Sequence, residues 1–376
     1  MARPRIPIHD EPEAPKEIIK RSGSGVNAQI AEALRPMIEK VGGSIGTAEE
    51  LEHLHQPLGY TKTGIYPLDN LLSAGRGVPH GRFVEVFAPE SVGKSALCEF
   101  MMGAFKRDGG DLAHIDSEKT RDDAHLACYG IKPADYLDPD LPDLESVWDF
   151  ARGTLRVLKK QEKPSPYLIV LDSLAATPSR AELEEKEHDD SHVGLQARSN
   201  AKGVRVTVRG FSASTATFLF INQIRDKIGA MGYGPKTDTP GGRALKFAYS
   251  IRLKLAKIET LKKGSGEGAP AIGHIIEVQS VKNKLAPPQM KCHLMLSYSR
   301  GIDVGWSNFY WFQKNGYVVA KGRTGFTWKG LESEPFKRSE FAEWSKANKK
   351  AISAAVAELA EADLKAVRSA AEVATD

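Results

Sequence analysis

Phe83-Val84-Glu85-Val86-Phe87-Ala88-Pro89-Glu90-Ser91-Val92-Gly93-Lys94-Ser95 is the stretch that decides the fold. An apolar run ends in a short loop, and Ala96 to Lys106 reads as helix. Strand, tight loop and helix are the context of a phosphate-binding loop. Backbone N–H groups and the helix N-terminus then cradle phosphate oxygens. The cradle is Pro89, Glu90, Ser91, Val92, Gly93, Lys94, Ser95 and Ala96. Lys94 neutralises the β- and γ-phosphates, and the Ser95 hydroxyl ligates Mg²⁺. Ala88 stands where the motif has its first glycine, which only requires that φ there not be positive.

Around this loop lies an ordinary globular composition. The chain has 376 residues and a formal charge of +4, enough for a large core. So mild a charge permits a nucleic-acid partner without arguing for one. The three cysteines, Cys98, Cys128 and Cys292, have no metal-ligand spacing and suit a reducing compartment. The N-terminus lacks the apolar core of a signal peptide, and no run reaches the length of a membrane span. The expectation is a cytoplasmic protein without membrane contact.

Residues 1–26 read as a flexible arm. Asn27 is positioned to cap an amphipathic helix with Ile30, Leu34, Met37 and Ile38 on one face and Pro36 at a kink. That stripe docks either on the chain's own core or on a neighbouring subunit. From about Thr61 the pattern is α/β. Apolar runs recur at Phe83–Phe87, Leu112–Ile115, Leu168–Leu171 and Phe218–Ile221, with helical stretches between. This predicts a mostly parallel sheet with ligands at the strand carboxyl ends. Ile251–Leu255 and Ile275–Val281 alternate and read as sheet edges or antiparallel additions. Ala347 to Asp376 reads as a terminal helix.

The strand ends carry the chemistry. Tyr167 to Leu171 delivers Asp172, the expected carboxylate of the Mg²⁺ shell. Leu112 to Ile115 delivers Asp116 and Glu118; either can orient a water, or Asp116 can cap the next helix. Phe218 to Ile221 ends in Asn222 and Gln223, amides able to sense a γ-phosphate. A long Gly/Pro-rich loop follows, with Arg225, Lys227, Met231, Tyr233 and Lys236, a composition suited to single-stranded nucleic acid. Glu182–Asp190 reads as a mobile loop. Arg198, Lys202, Arg205 and Arg209 share a helix face, although Val204, Val206 and Val208 also alternate as in a strand. Lys282-Asn283-Lys284 is either a turn or an electrostatic clamp on phosphate.

In order and spacing, these segments resemble the bacterial RecA-type recombinases. The resemblance rests on the phosphate loop, Ile115-Asp116-Ser117-Glu118, Leu171-Asp172-Ser173-Leu174-Ala175-Ala176, Asp190-Ser191-His192-Val193-Gly194-Leu195, Phe220-Ile221-Asn222-Gln223-Ile224-Arg225, Gly241-Gly242-Arg243-Ala244-Leu245-Lys246-Phe247 and Val281-Lys282-Asn283-Lys284. It covers about residues 27–300, and the divergence elsewhere fits a phage-encoded version. The resemblance implies an α/β, RecA-like phosphate-loop ATPase core at 61–300. It also implies an N-terminal polymerisation helix within 27–60 and a small C-terminal domain at 301–376.

It further implies an ATP- and Mg²⁺-dependent, filament-forming ATPase that pairs single-stranded DNA with a homologous duplex. Glu118 then matches the water-activating Glu and Gln223 the γ-phosphate sensor. Arg198 and Arg205 match DNA-contacting arginines, which favours the helix. Arg225, Lys227, Met231, Tyr233, Gly241 and Gly242 belong to the second DNA loop and its return. Lys282 and Lys284 match the pair reaching a neighbouring subunit's ATP. Lys246, Phe247, Ile30 and Leu34 match interface positions. Asp122 matches an adenine-contacting Asp, whereas His125 stands where the family stacks a Tyr on the base. The chain beyond Ile302 matches poorly, and an acidic tail is not evident. Two rivals share Lys94 and Asp172: a ring-forming helicase or repair ATPase, and a nucleotide-switched adaptor without turnover.

Overall fold

A computed structural model describes residues 25–184, 194–226, 237–264, 266, 268–332 and 334–373. The chain divides into two compact units, residues 1–56 and 57–376. In the first, helix α1 spans Val26–Lys40, with Pro36 inside it. Gly25, not Asn27, occupies its N-cap, and no α1 residue is buried. Ile30, Leu34 and Met37 are exposed.

The second unit opens with the ribbon β1 (Tyr60–Thr61) and β2 (Val78–Pro79), which flank α2 (Tyr66–Ser73). Then come β3 (Phe83–Ala88), α3 (Lys94–Arg107), β4 (Asp111–Asp116), α4 (Asp123–Cys128), β5 (Tyr136–Leu137), α5 (Leu144–Leu158), β6 (Tyr167–Asp172), α6 (Arg180–Glu184), α7 (Leu195–Ser212) and β7 (Ala216–Gln223). A two-residue ribbon, β8 (Arg225–Asp226) with β9 (Thr237–Asp238), precedes α8 (Gly242–Ala248). The chain continues through β10 (Ile251–Lys262), β11 (Ala271–Asn283), β12 (Lys291–Ser297) and β13 (Gly301–Asp303). It closes with α9 (Val304–Lys314), β14 (Val318–Lys321), β15 (Gly325–Trp328), α10 (Phe341–Ala347) and α11 (Lys349–Val373).

Nine strands form one sheet in the order β13-β12-β11-β10-β3-β7-β6-β4-β5. The block from β10 to β5 is parallel, and β11, β12 and β13 add antiparallel. Ile251–Leu255 is therefore no edge: it pairs parallel with β3, and Ile251, Leu253 and Leu255 are fully buried. The alternation seen in sequence is real: Ile251, Leu253 and Leu255 enter one core cluster, while Arg252 is half-buried and Lys254 exposed on the other face.

Strand parity splits the core in two. Val84, Val86, Val170, Leu219 and Ile221 join α3 on one face. Phe83, Ile169, Leu171, Phe218 and Phe220 join α5 and α7 on the other. A strand buried on both faces has no polar side to present, hence the near-continuous apolar runs. The helix reading of Arg198–Arg209 holds. Ser199, Asn200, Gly203, Val204, Thr207 and Phe211 form the buried face of α7, while Val206 and Val208 are exposed. Gly203 fixes that packing, because a Cβ there would lie 2.2 Å from the Trp148 ring on α5.

After β13, Phe309, Phe312, Trp328, Phe336 and Phe341 form a separate aromatic cluster. It is tied back through Asn308, whose Oδ1 accepts from the Tyr66 N–H at 2.8 Å and whose Nδ2 donates to the Gly64 carbonyl at 2.9 Å.

Candidate nucleotide and DNA site

The phosphate loop leaves the carboxyl end of β3, flanked by β7 and β10. Within the loop, Ser91 (φ +57°) and Gly93 (φ +103°) have positive φ, and Ala88 does not. The alanine therefore carries no left-handed strain. Gly93 is constrained twice: a Cβ would also lie 2.9 Å from both Ile276 Cδ1 and Leu296 Cδ2. His274, buried on β11, holds the loop from behind with Nε2 3.0 Å from the Val92 carbonyl oxygen. Facing a carbonyl, that nitrogen must donate, while Nδ1 lies 3.3 Å from the Tyr298 hydroxyl.

Lys94 Nζ donates to the Pro89 carbonyl at 2.9 Å and the Ala88 carbonyl at 3.4 Å. Burial lowers its pKa, opposed by Asp172, Glu118 and Glu90. The Ser95 hydroxyl donates to Asp172 Oδ2 at 2.7 Å. Asp172 is pushed up to about 6 by burial, reinforced by Glu118, Asp116 and Glu99 and opposed by the Ser95 bond. An exposed hydroxyl on a buried carboxylate, with further acids close by, fits a hard divalent cation. Among the described residues no group of three His, Cys, Asp or Glu could hold a metal. Mg²⁺ would thus draw its other ligands from phosphate and water, as it commonly does.

Asp116 lies opposite Asp172 in the register of β4 and β6. Its oxygens accept the Glu118 N–H at 3.1 Å and the Arg121 N–H at 2.9 Å, so it shapes the turn. Asp122, not Asp116, caps α4, accepting from Ala124 N–H at 2.9 Å and His125 N–H at 3.2 Å. Glu118 Oε1 accepts at 2.6 Å from the hydroxyl of Ser173, the residue that follows Asp172 at the end of β6, and this aims the carboxylate. His125 bonds Glu99 through Nδ1 and meets the Tyr129 ring edge-on at 5.4 Å. Ser95, Ala96, Glu99, Asp116, Asp122 and His125 line one cavity of about 170 Å³.

Gln223 ends β7, half-buried, its N–H donating to Asn222 Oδ1 at 3.0 Å. Asn222 Nδ2 donates to Glu85 Oε1 at 2.9 Å and to the Pro240 carbonyl at 3.0 Å. Arg252 pairs with Glu85 and donates to Thr239 Oγ1 at 3.0 Å. One network thus joins the phosphate-loop strand to the return of the 225–240 segment. Lys227, Met231 and Tyr233 lie outside the described residues, as do residues 185–193, most of the expected Glu182–Asp190 loop; its start is α6. Gly241 (φ +103°) and Gly242 (φ +83°) turn the chain into α8; a Cβ on Gly242 would lie 2.6 Å from Ala197 Cβ on α7. Arg198, Lys202 and Arg205 project from the exposed face of α7.

Lys246 pairs with Asp238, and the neighbouring Phe247 is 75% exposed. Lys282 Nζ donates to the Lys246 carbonyl at 2.7 Å and the Phe247 carbonyl at 3.0 Å, while Lys284 Nζ reaches the latter at 3.3 Å. Two cations therefore close the C-terminal end of α8. Burial pushes the Lys282 ammonium down to about 8, helped by Lys284 and Arg252.

Sequence reading missed Glu99, His274, Ser173 and the Glu85–Arg252 pair. Glu99 had a signal, a lone carboxylate inside Ala96-Leu97-Cys98-Glu99-Phe100-Met101. His274 had none, because it meets the loop only through the order of the strands.

A phosphate loop at the centre of a parallel sheet, with carboxylates on adjoining strand ends, defines a phosphate-loop α/β protein. The RecA N-terminal domain family matches residues 29–303. Protein RecA of Streptomyces coelicolor is 37% identical over 305 residues, 80% of this chain and 76% of that protein. Protein RecA of Mycobacteroides abscessus is 35% identical over 302 residues, 79% and 83% of the two chains. Protein RecA of Lactococcus lactis subsp. cremoris is 34% identical over 288 residues, 76% and 72%. The chain belongs to the RecA family, the recombinases of DNA recombination and repair.

Proposed function

We propose that this protein is a DNA-dependent ATPase that assembles as a helical filament on single-stranded DNA and promotes homologous pairing and strand exchange. The observation that carries this is the wiring of the phosphate loop. Glu85 on β3 reaches Asn222, next to Gln223, and through Arg252 and Thr239 the return of the 225–240 segment.

Lys94 exchanges its loop carbonyls for phosphate oxygens, and Ser95 with Asp172 holds the Mg²⁺. Bound there, the cation offsets charge on the β- and γ-phosphates. Glu118, aimed by Ser173, accepts a proton from the attacking water. Gln223 senses the γ-phosphate end and passes its position to the loop. Arg198 and Arg205, with Arg225, Lys227, Met231, Tyr233 and the Gly241-Gly242 turn, hold the strand, largely by its backbone, so that binding weakens steeply with salt. Lys282 and Lys284 lie against Lys246 and Phe247; in a filament they leave the α8 carbonyls for a neighbour's phosphates, beside an interface built from Phe247. Ile30 and Leu34 supply the N-terminal docking face between subunits. Asp122 and His125 receive the base. Among the described residues no helix is long and apolar enough to cross a membrane. The proposed place of work is the cytoplasm, the host's if the chain is phage-encoded.

Electron microscopy with ATP, with and without single-stranded DNA, paired with an ATPase assay, tests this. Helical filaments and DNA-stimulated turnover are expected, with turnover reduced about 10²-fold or more in Glu118→Gln while ATP still binds. Closed rings, or turnover indifferent to DNA, would refute it in favour of a helicase-like ATPase. Unchanged turnover in Glu118→Gln would point to a different catalytic carboxylate.

A further inference from the structure

Glu99 sits on α3 four residues beyond Ser95, 6% exposed, among the buried Leu97, Cys98, Phe100 and Met101. A carboxylate at such a place is costly unless it is paired. Its partner is His125 Nδ1 on α4. Tyr129, at the C-cap of α4, meets the same ring at right angles, with centroids 5.4 Å apart at 89°. With Nδ1 committed to Glu99, the ring lines a cavity shared with Ser95, Ala96 and Asp122.

That cavity, about 170 Å³, is below the ~300–1,000 Å³ of pockets that enclose a whole ligand. It therefore accommodates one end of a ligand whose phosphates lie on the loop. Ser95 and Ala96 mark the phosphate end, and Asp122 and His125 the other. His114, 4% exposed, lines the cavity too, and its Nδ1 has no hydrogen-bond partner.

We propose that Glu99 is a positioning residue for the nucleobase, holding the His125 ring against the base of the bound nucleotide. This rests on the ATP-site reading above. The ring stacks as a cation on the base face, an attraction added to ordinary stacking. The titratable and charged groups that line the cavity with it are Glu99 on α3, Asp122 at the N-cap of α4, His114 and Asp116 on β4, Arg121 before α4 and Asp172 on β6; of these Glu99 and Asp122 act on the ring most directly. With carboxylates predominating, the imidazolium is favoured, and the Glu99 bond is the first cause of its raised pKa.

The test uses the full-length protein and two ligands, MgADP and inorganic tripolyphosphate, which shares the phosphate end and lacks a base. Calorimetry compares wild type, Glu99→Leu and the double variant Glu99→Leu/His125→Tyr. Glu99→Leu should weaken MgADP about tenfold and leave tripolyphosphate within about twofold. The double variant should restore MgADP binding, because a tyrosine ring stacks without needing a carboxylate. Equal weakening of both ligands, unchanged MgADP affinity, or no rescue would overturn the proposal. A wild-type protein binding tripolyphosphate as tightly as MgADP would also overturn it, leaving the phosphate site intact. Binding of neither ligand would instead sink the ATP-site reading beneath it.

Discussion

Arg252→Met should be among the most damaging single changes outside the phosphate loop. Glu85 is fully buried, and Arg252 is the cation that pairs with it. Removing that cation leaves a carboxylate without its counter-charge inside the sheet, at a cost of about 3–5 kcal/mol. The Arg252 guanidinium also lies 4.9 Å from the Phe87 ring centroid, a contact contributing roughly 0.5–1 kcal/mol. A domain is stable by only ~5–15 kcal/mol, so the variant should unfold at much lower urea.

The double variant Glu85→Met/Arg252→Leu removes both charges and should recover most of the loss, because well-packed apolar replacements of buried pairs are often neutral. Asn222 would keep the Pro240 carbonyl as acceptor and forfeit one hydrogen bond, about 1 kcal/mol. Urea titration followed by tryptophan fluorescence reads this out, since Trp148 lies in the sheet's own core. A single variant losing under about 1 kcal/mol, or a double no better than the single, would refute the reasoning. The single variant also frees Thr239, so its ATPase should lose DNA stimulation before basal turnover.

Gly93→Ala should weaken MgADP binding at least tenfold, since φ +103° and two methyl carbons at 2.9 Å oppose a side chain, a strain of ~1–3 kcal/mol. Ala88→Gly should leave calorimetric nucleotide affinity unchanged, as β3 already ends there without positive φ. His274→Ala deprives the buried Val92 carbonyl of its donor, about 1–3 kcal/mol. It should raise KM for ATP, with partial rescue by Gln, and an unmoved KM in steady-state kinetics would count against it. The His125–Glu99 pair should make stability depend on pH. The raised His125 pKa means that the folded state binds the proton more tightly. Its contribution is full below the ordinary value of about 6.5 and is lost as pH rises through the folded value. Wild type should thus lose more urea resistance than His125→Phe between pH 5.5 and 8.5; parallel curves would remove the pair as a source of pH dependence.

The phosphate loop and the strands ending in Asp116, Asp172 and Gln223 were legible in the chain because local physics writes them locally. A buried parallel strand must be apolar throughout, and a tight loop before a helix needs its glycine. Where the two patterns competed, at Arg198–Arg209, the close approach of Gly203 to Trp148 decided for helix. Ile251–Leu255 misled because its alternation reports burial on one face only and says nothing of its neighbours, of which β3 is a parallel one inside the sheet.

Taken alone, the sequence determined the class of protein, the loop between β3 and α3, and the strands that end in Asp116 and Asp172, since these features are written in their own backbone neighbourhood. Only the tertiary structure decided which distant groups touch. It set His274 behind the loop, Glu99 against His125, Arg252 on Glu85, and Lys282 with Lys284 at the end of α8. Those pairings cross the sheet or the helices packed on it, and chain order does not encode strand order.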